Sequence, residues 1–168
     1  MMLYLLDANI LITAHNTYYP IDKVPEYWSW LQHQGAAGFV KIPVEILEEV
    51  REGRHDDMLL NWITNDLNRG SLLLGEEVSL DLVRQVVTEG YAPDLTDVQI
   101  EELGRDPFLV AYSMAGAERC VVTTEVSKPT KTRQNRQLPD VCQTFGVAWC
   151  GPFKLNRDLG FNTAGFRA

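Results

Sequence analysis

Acidic side chains are the residues here whose placement suggests chemistry. Asp7 ends the apolar run 3–6. Glu45, Glu48, Glu49 and Glu52 follow the run 39–42. Asp106 precedes the run 120–123, and Glu125 follows it. Carboxylates that converge repel one another and raise each other's pKa unless a cation neutralises them. With no His or Cys beside them, hard oxygen ligands suit Mg2+ or Mn2+. One or two such ions can activate water and stabilise the leaving oxygen of a phosphodiester. Each acid also has a plainer reading. Asp7, Asp106 and Glu125 suit helix N-termini, where a carboxylate accepts backbone N–H groups and complements the dipole. Asp106-Pro107 is a good cap and first-turn pair. Most glutamates of 45–52 belong on a solvated helix face.

The elements that must position these acids alternate. Runs 3–6, 39–42, 120–123 and 147–150 read as strands, and 71–75 as a further short one. Helices are expected near 10–14, from Pro25 through Leu31 to the Gly35–Gly38 region, from Pro43 to Arg51, after Asp56-Asp57, near 80–87, over 96–103 and over 106–115. The strands are unbroken apolar runs, which argues for a parallel sheet covered on both faces. In such a sheet, ligands bind beyond the carboxyl ends of the strands, at the topological switch point. Residues 126–139 read as polar and irregular. One domain is expected over 1–153, with 154–168 a mobile tail.

Composition narrows the function classes. The chain has 168 residues, 45% of them hydrophobic, enough for a real core without staples. Three cysteines, an odd number without a CxxC pair, disfavour a disulfide framework and favour a reducing compartment. The three histidines have no zinc-finger spacing. No run approaches a membrane span and no signal peptide is read, so the cytoplasm is the expected location. The net charge of −8 argues against a broad nucleic-acid surface. The charge is uneven: 76–106 holds nine acids against Arg84 and Arg105, whereas 126–139 holds Lys128, Lys131, Arg133 and Arg136 and no acid. That basic segment could contact RNA phosphates, or be an ordinary solvated loop. Tyr18, Tyr19, Trp28 and Trp30 could stack bases, although the helical spacing of Tyr27, Trp30 and Leu31 favours core. His15 reads as a polar surface residue or a substrate contact.

Four segments, in order, resemble the PIN-domain ribonucleases, and within them a PIN-like, toxin-type branch of bacterial proteins. The segments are LDANILI, IPVEILEEVREG, RDPFLVAYSMA and VVTTE; YYPIDKVPEYWSWL and LPDVCQTFGV resemble the narrower branch. The resemblance spans nearly the whole chain. It implies a PIN-like three-layer α/β/α fold with a central, mainly parallel sheet of four to five strands. It implies catalytic, metal-holding acids at Asp7, Glu49, Asp106 and Glu125, with Glu45 as the fallback for Glu49. Asn9 and Thr123 would brace the site. Glu125 departs from the commoner Asp or Asn, so its contact with metal would be direct or through water. Asp140 could lie near the site or serve as a structural cap.

What the resemblance implies is an Mg2+- or Mn2+-dependent endoribonuclease, leaving 5′-phosphate and 3′-hydroxyl ends. It would be the toxin of a toxin–antitoxin pair, held by an antitoxin protein and able to form a homodimer. One alternative keeps the fold as an inactive protein-interaction module. A phosphotransferase using Asp7 as nucleophile fits less well, because Asn9 stands where a second Asp is wanted and there is no GxxxxGK[ST] loop.

Overall fold

Four short strands carry the core of the computed structural model, which describes residues 1–53 and 56–164. They are β1 (Leu3–Leu6), β2 (Val40–Lys41), β3 (Arg119–Val122) and β4 (Ala148–Cys150). They form one sheet in the order β2-β1-β3-β4, with every neighbouring pair parallel. In β1 and β3, Leu3 lies opposite Arg119 and Leu6 opposite Val122. Successive residues on these strands point to opposite faces, yet Leu5, Leu6, Val121 and Val122 are all fully buried. Helices therefore cover both faces, which makes the molecule a three-layer α/β/α fold.

The helices are α1 (Ala8–Thr13), α2 (Pro25–Ala36), α3 (Val44–Glu52), α4 (Asp57–Thr64), α5 (Asp66–Leu72), α6 (Leu80–Gln85), α7 (Asp97–Glu102), α8 (Asp106–Met114), α9 (Leu138–Thr144) and α10 (Pro152–Asp158). α1 and α6 each run on into a wider π-helical turn, at Ala14–Tyr18 and Val86–Tyr91. None of the described helices is long and apolar enough to cross a membrane.

Several expected elements differ in detail. The strand expected at 71–75 is a single parallel bridge, Leu73 with Ile42, because α5 occupies the chain through Leu72. The helix after Asp56 is two helices. Asn65 leaves the helical conformation at ψ 130° and its side chain accepts the N–H groups of Leu67 and Asn68, which starts α5. Residues 126–139 are irregular apart from a 3₁₀ turn at Arg133–Asn135 and the start of α9.

The boundary expected at 153 falls inside α10. Leu155 is fully buried, and the Leu159 carbonyl accepts the indole N–H of Trp30 at 3.2 Å. The Phe161 ring packs on Tyr19, Tyr27 and Trp30. Residues 154–161 are therefore fastened to the core rather than loose, because they supply the acceptor that a buried indole donor requires.

Candidate active site

The chain passes from β1 outward to β2, then crosses back to place β3 on the other side of β1. The gap between the carboxyl ends of β1 and β3 is thus the switch point, where open α/β sheets leave a crevice. Asp7 leaves β1 there and Thr123 leaves β3. Asp7 is the N-cap of α1: its Oδ1 accepts the N–H of Ala8 at 2.8 Å. Its Oδ2 accepts the Thr123 hydroxyl at 2.9 Å, and the Thr123 oxygen in turn accepts the N–H of Glu125 at 3.1 Å. Thr123 thereby ties the first acid to the last. Burial pushes the Asp7 carboxyl up to about 6; the Thr123 hydrogen bond opposes this, and the charges of Glu49 and Glu125 add to it.

α3 delivers Glu49 to the same place and Glu45 elsewhere. The Glu45 Oε1 accepts the Tyr112 hydroxyl at 3.1 Å, in contact with α8. Glu49 Oε2 is buried without a hydrogen-bond partner. Desolvation holds the Glu49 carboxyl above its ordinary range, the Arg105 charge counteracts this, and Glu52 and Glu125 reinforce it. Arg105 is spent on the outer side of α3, where it donates to Glu48 at 3.0 Å, to Glu52 at 3.1 Å and to the Glu45 carbonyl at 3.0 Å. Gly104, at φ +58°, makes the left-handed turn that brings α8 beside Glu49.

Asp106 opens α8. It keeps partial surface exposure but sits in dense surroundings. Its pKa is raised well above the ordinary value by desolvation, then by the charges of Asp7, Glu125 and Glu49. Glu125 Oε2 accepts the N–H of Leu138, at the start of α9, at 2.7 Å. Asp7, Glu49, Asp106 and Glu125 therefore lie within mutual electrostatic reach, while Glu45 is turned to Tyr112. Two further residues join them. The Cys142 thiol, fully buried on α9, is pushed up to about 12 by burial, then by Asp106, Glu125 and Asp7. Tyr91 is also buried: burial, then the charges of Asp106 and Glu125, hold its hydroxyl well above the ordinary range, and that hydroxyl has no partner. Nothing in the sequence marked Tyr91. The spacing of Glu45, Glu48 and Glu52 on one helix face was the available signal for Arg105.

Other expected site residues lie differently. Asn9 does not brace Asp7. It is exposed on α1 and makes no side-chain hydrogen bond among the described residues, and both Asp7 oxygens are already engaged. Arg133 pairs with Asp94 at 2.8 Å. Arg136 donates to the Gly90 and Asp140 carbonyls and to the Thr144 hydroxyl. Only Lys128 and Lys131 of the four basic residues are exposed with no ion-pair partner among the described residues. Asp140 caps no helix: from within α9 it accepts the Ser127 hydroxyl and the Lys128 N–H, tying the preceding loop to that helix. His15 is buried: its Nδ1 accepts the Ile21 N–H, so Nε2 carries the proton donated to Asp56. Trp28 and Trp30 are core, and of the four aromatics considered only Tyr18 is substantially exposed.

Among the described residues no group of three or more His, Cys, Asp or Glu stands in an arrangement that would hold a metal ion. The four acids are neighbours but not a ready-made coordination shell. No curated protein matches this sequence. A family match covers residues 4–163, almost the entire chain: the protein belongs to DUF4411, a domain of unknown function.

Proposed function

We propose that the chain is a metal-dependent endoribonuclease with a PIN-like catalytic centre. The observation that carries this reading is the meeting of four carboxylates at the switch point with no basic side chain of the described residues bridging them, while Arg105 is spent on the outer face of α3. The donor set suits a hard divalent cation. It is made of carboxylate oxygens, one of them the unpartnered Glu49 Oε2, and the nearby Cys142 thiol is held in its neutral form. Asp7, Glu49 and Asp106 would hold Mg2+ or Mn2+. Glu125 keeps one oxygen free of the Leu138 N–H and would contact the ion directly or through water.

A cation bound there supplies Lewis acidity and lowers the pKa of water, which is the chemistry phosphodiester hydrolysis needs. The chain's own residues do the rest. Thr123 fixes the Asp7 carboxylate in one orientation and ties it to the Glu125 backbone. The exposed Lys128 and Lys131, shortly after Glu125, would attract the RNA backbone. The toxin role, a cytoplasmic location, an antitoxin partner and a homodimer rest on the sequence resemblance alone. A second reading, a PIN-like interaction module without activity, is favoured by the lack of a preformed cation arrangement among the described residues.

One assay separates the two. Single-stranded RNA is incubated with purified protein in Mn2+, in Mg2+ and in EDTA, comparing the parent with Asp7→Asn and Asp106→Asn. The nuclease reading expects cleavage that EDTA and each variant abolish. Cleavage that survives EDTA or Asp7→Asn would overturn metal-dependent catalysis at this centre. A parent inert in both ions would leave the interaction module.

A further inference from the structure

Two of the four acids stand on different helices, Glu49 on α3 and Asp106 on α8. Their separation therefore depends on how those helices are held together. One residue joins them closest to both acids. Arg105 directly precedes Asp106 and is the N-cap residue of α8, where its carbonyl accepts the N–H groups of Phe108 at 3.1 Å and Leu109 at 3.3 Å. Its guanidinium reaches α3. Nη1 donates to the Glu45 carbonyl and to the Glu48 carboxylate, each at 3.0 Å, and Nη2 donates to Glu52 at 3.1 Å.

Those three acceptors flank Glu49 on both sides in the chain. The α-helical pattern also gives the Glu45 carbonyl to the N–H of Glu49 itself. Glu48 and Glu52 lie one turn apart on the gripped ridge, and Glu49 stands roughly 100° further round the helix than Glu48. That rotation sets it beside the ridge rather than on it. Its Oε1 lies 4.0 Å from where a Cβ of Gly104 would stand, two residues before Asp106, and its Oε2 is buried without a partner. The arginine side chain is only 27% exposed, so its pairs are partly shielded from water and salt. A second tie between the helices, the Tyr112 hydroxyl on Glu45 Oε1 at 3.1 Å, lies a turn away from Glu49 and does not depend on Arg105.

Resting on the metal-dependent reading above, we propose that Arg105 is a positioning residue: its grip on α3 holds the Glu49 carboxylate beside Asp106 so that both can ligate one cation. Arg105 itself touches neither the cation nor RNA. Its positive charge opposes a cation nearby, so charge and positioning predict opposite effects when it is replaced. As a charge alone, its loss would tighten cation binding. As a positioning residue, its loss weakens that binding.

Mn2+ titration of the full chain by calorimetry reads the sign. Arg105→Gln should weaken Mn2+ binding about 10- to 100-fold, the usual cost of losing a group that orients a metal ligand. Arg105→Lys keeps the charge but not the planar fork that reaches several acceptors at once, and should also weaken it. It carries the same test if Arg105→Gln does not fold. Arg119→Lys breaks a comparable fork, on Glu76 at the amino end of β3, and should leave the affinity within about two-fold. In a Glu49→Gln background, Arg105→Lys should change the remaining affinity less than about two-fold, because the ligand it positions is already altered. Unchanged or tighter binding in either Arg105 variant would overturn the positioning role. So would an equal loss in Arg119→Lys, or a full further loss in the Glu49→Gln background. Each of these leaves the ribonuclease reading intact if the parent still binds Mn2+ and cleaves RNA. A parent that binds no Mn2+ overturns both.

Discussion

Asp94 and Asp106 stand on either side of α7 and meet opposite surroundings. Asp94 is exposed and receives the Arg133 guanidinium at 2.8 Å, which holds its carboxyl below the ordinary range. Asp106 has no ion-pair partner among the described residues. Burial and three other carboxylates hold its carboxyl well above that range. The same division runs through the molecule. Glu76 grips Arg119, Glu48 and Glu52 grip Arg105, and Asp158 grips Lys154. These peripheral acids are paired, whereas Asp7 and Asp106 feel chiefly burial and the other carboxylates. An excess of eight negative charges is a poor guide to partners until it is divided this way. Paired acids are largely neutralised where they stand, while the unpaired cluster is electrostatic tension that a bound cation would relieve.

The widest expected gap between the two regions is in activity. Asp106→Asn should lower RNA cleavage on the order of 10²–10³-fold, the scale on which removing one preorganised active-site group acts. Asp94→Asn, which removes a surface pair, should change it less than two-fold and leave stability nearly unaltered. Rate measurements in Mn2+ on both variants, with thermal midpoints as controls, check this. Equal losses from the two substitutions would break the distinction between central and peripheral acids.

The sequence showed the architecture better than the contacts. Unbroken apolar runs identified the parallel strands, because a strand buried on both faces has no polar alternation to keep. Acids just past those runs marked the switch-point side. What stayed hidden depends on three-dimensional proximity. The resemblance points to both Asn9 and Thr123 as braces, but not to Thr123, 116 residues from Asp7, as the one that holds that side chain while the nearer Asn9 does not. The basic segment read as four free cations because the sequence does not reveal that Arg136 is consumed by backbone carbonyls or that Arg133 meets Asp94. His15 looked like a surface residue but is a buried strut between the π-helical turn after α1 and the N-cap of α4. α9 and α10 are short and open with Pro near their N-termini, and burial rather than a long periodic pattern maintains them.

A second, smaller contrast concerns stability against pH. The Asp7 carboxyl titrates at about 6 when folded, against 3.8 ordinarily, so between those values the folded state holds more protons than the unfolded chain. Stability therefore falls as pH rises through this window, by up to about 3 kcal/mol for a shift of this size, with the penalty complete above pH 6. Asp56, Asp94 and Asp158 have the opposite sign: held low, they add stability that is already complete above their ordinary value of 3.8. From pH 5 to 7 the central acids consequently dominate. In EDTA the parent's thermal midpoint should drop over that interval, and Asp7→Asn should flatten the drop. Mn2+ should restore the parent at pH 7, more than at pH 5. A midpoint that rises from pH 5 to 7 in EDTA would remove the unpaired cluster from the picture.

The finest test asks whether pairing also sorts the basic residues. Lys128 and Lys131 are exposed and unpaired among the described residues, whereas Arg133 is engaged by Asp94. Each cation that neutralises an RNA phosphate contributes about 0.7 to the slope of log affinity against log salt for single strands. Replacing both lysines with Ser should thus weaken binding at low salt and flatten that slope by up to about 1.4. Arg133→Ser should alter the slope little, because its charge is already answered within the protein. Fluorescence anisotropy of single-stranded RNA, in the cleavage-deficient Asp7→Asn background over a salt series, reads both effects. If Arg133→Ser flattens the slope as much as loss of the lysines, the Asp94 pair opens on binding, and pairing in the free protein does not decide which cations meet RNA. If only the lysines matter, the rule that separates Asp94 from Asp106 extends to the positive charges: a side chain with no partner inside the protein is the one left to meet the substrate.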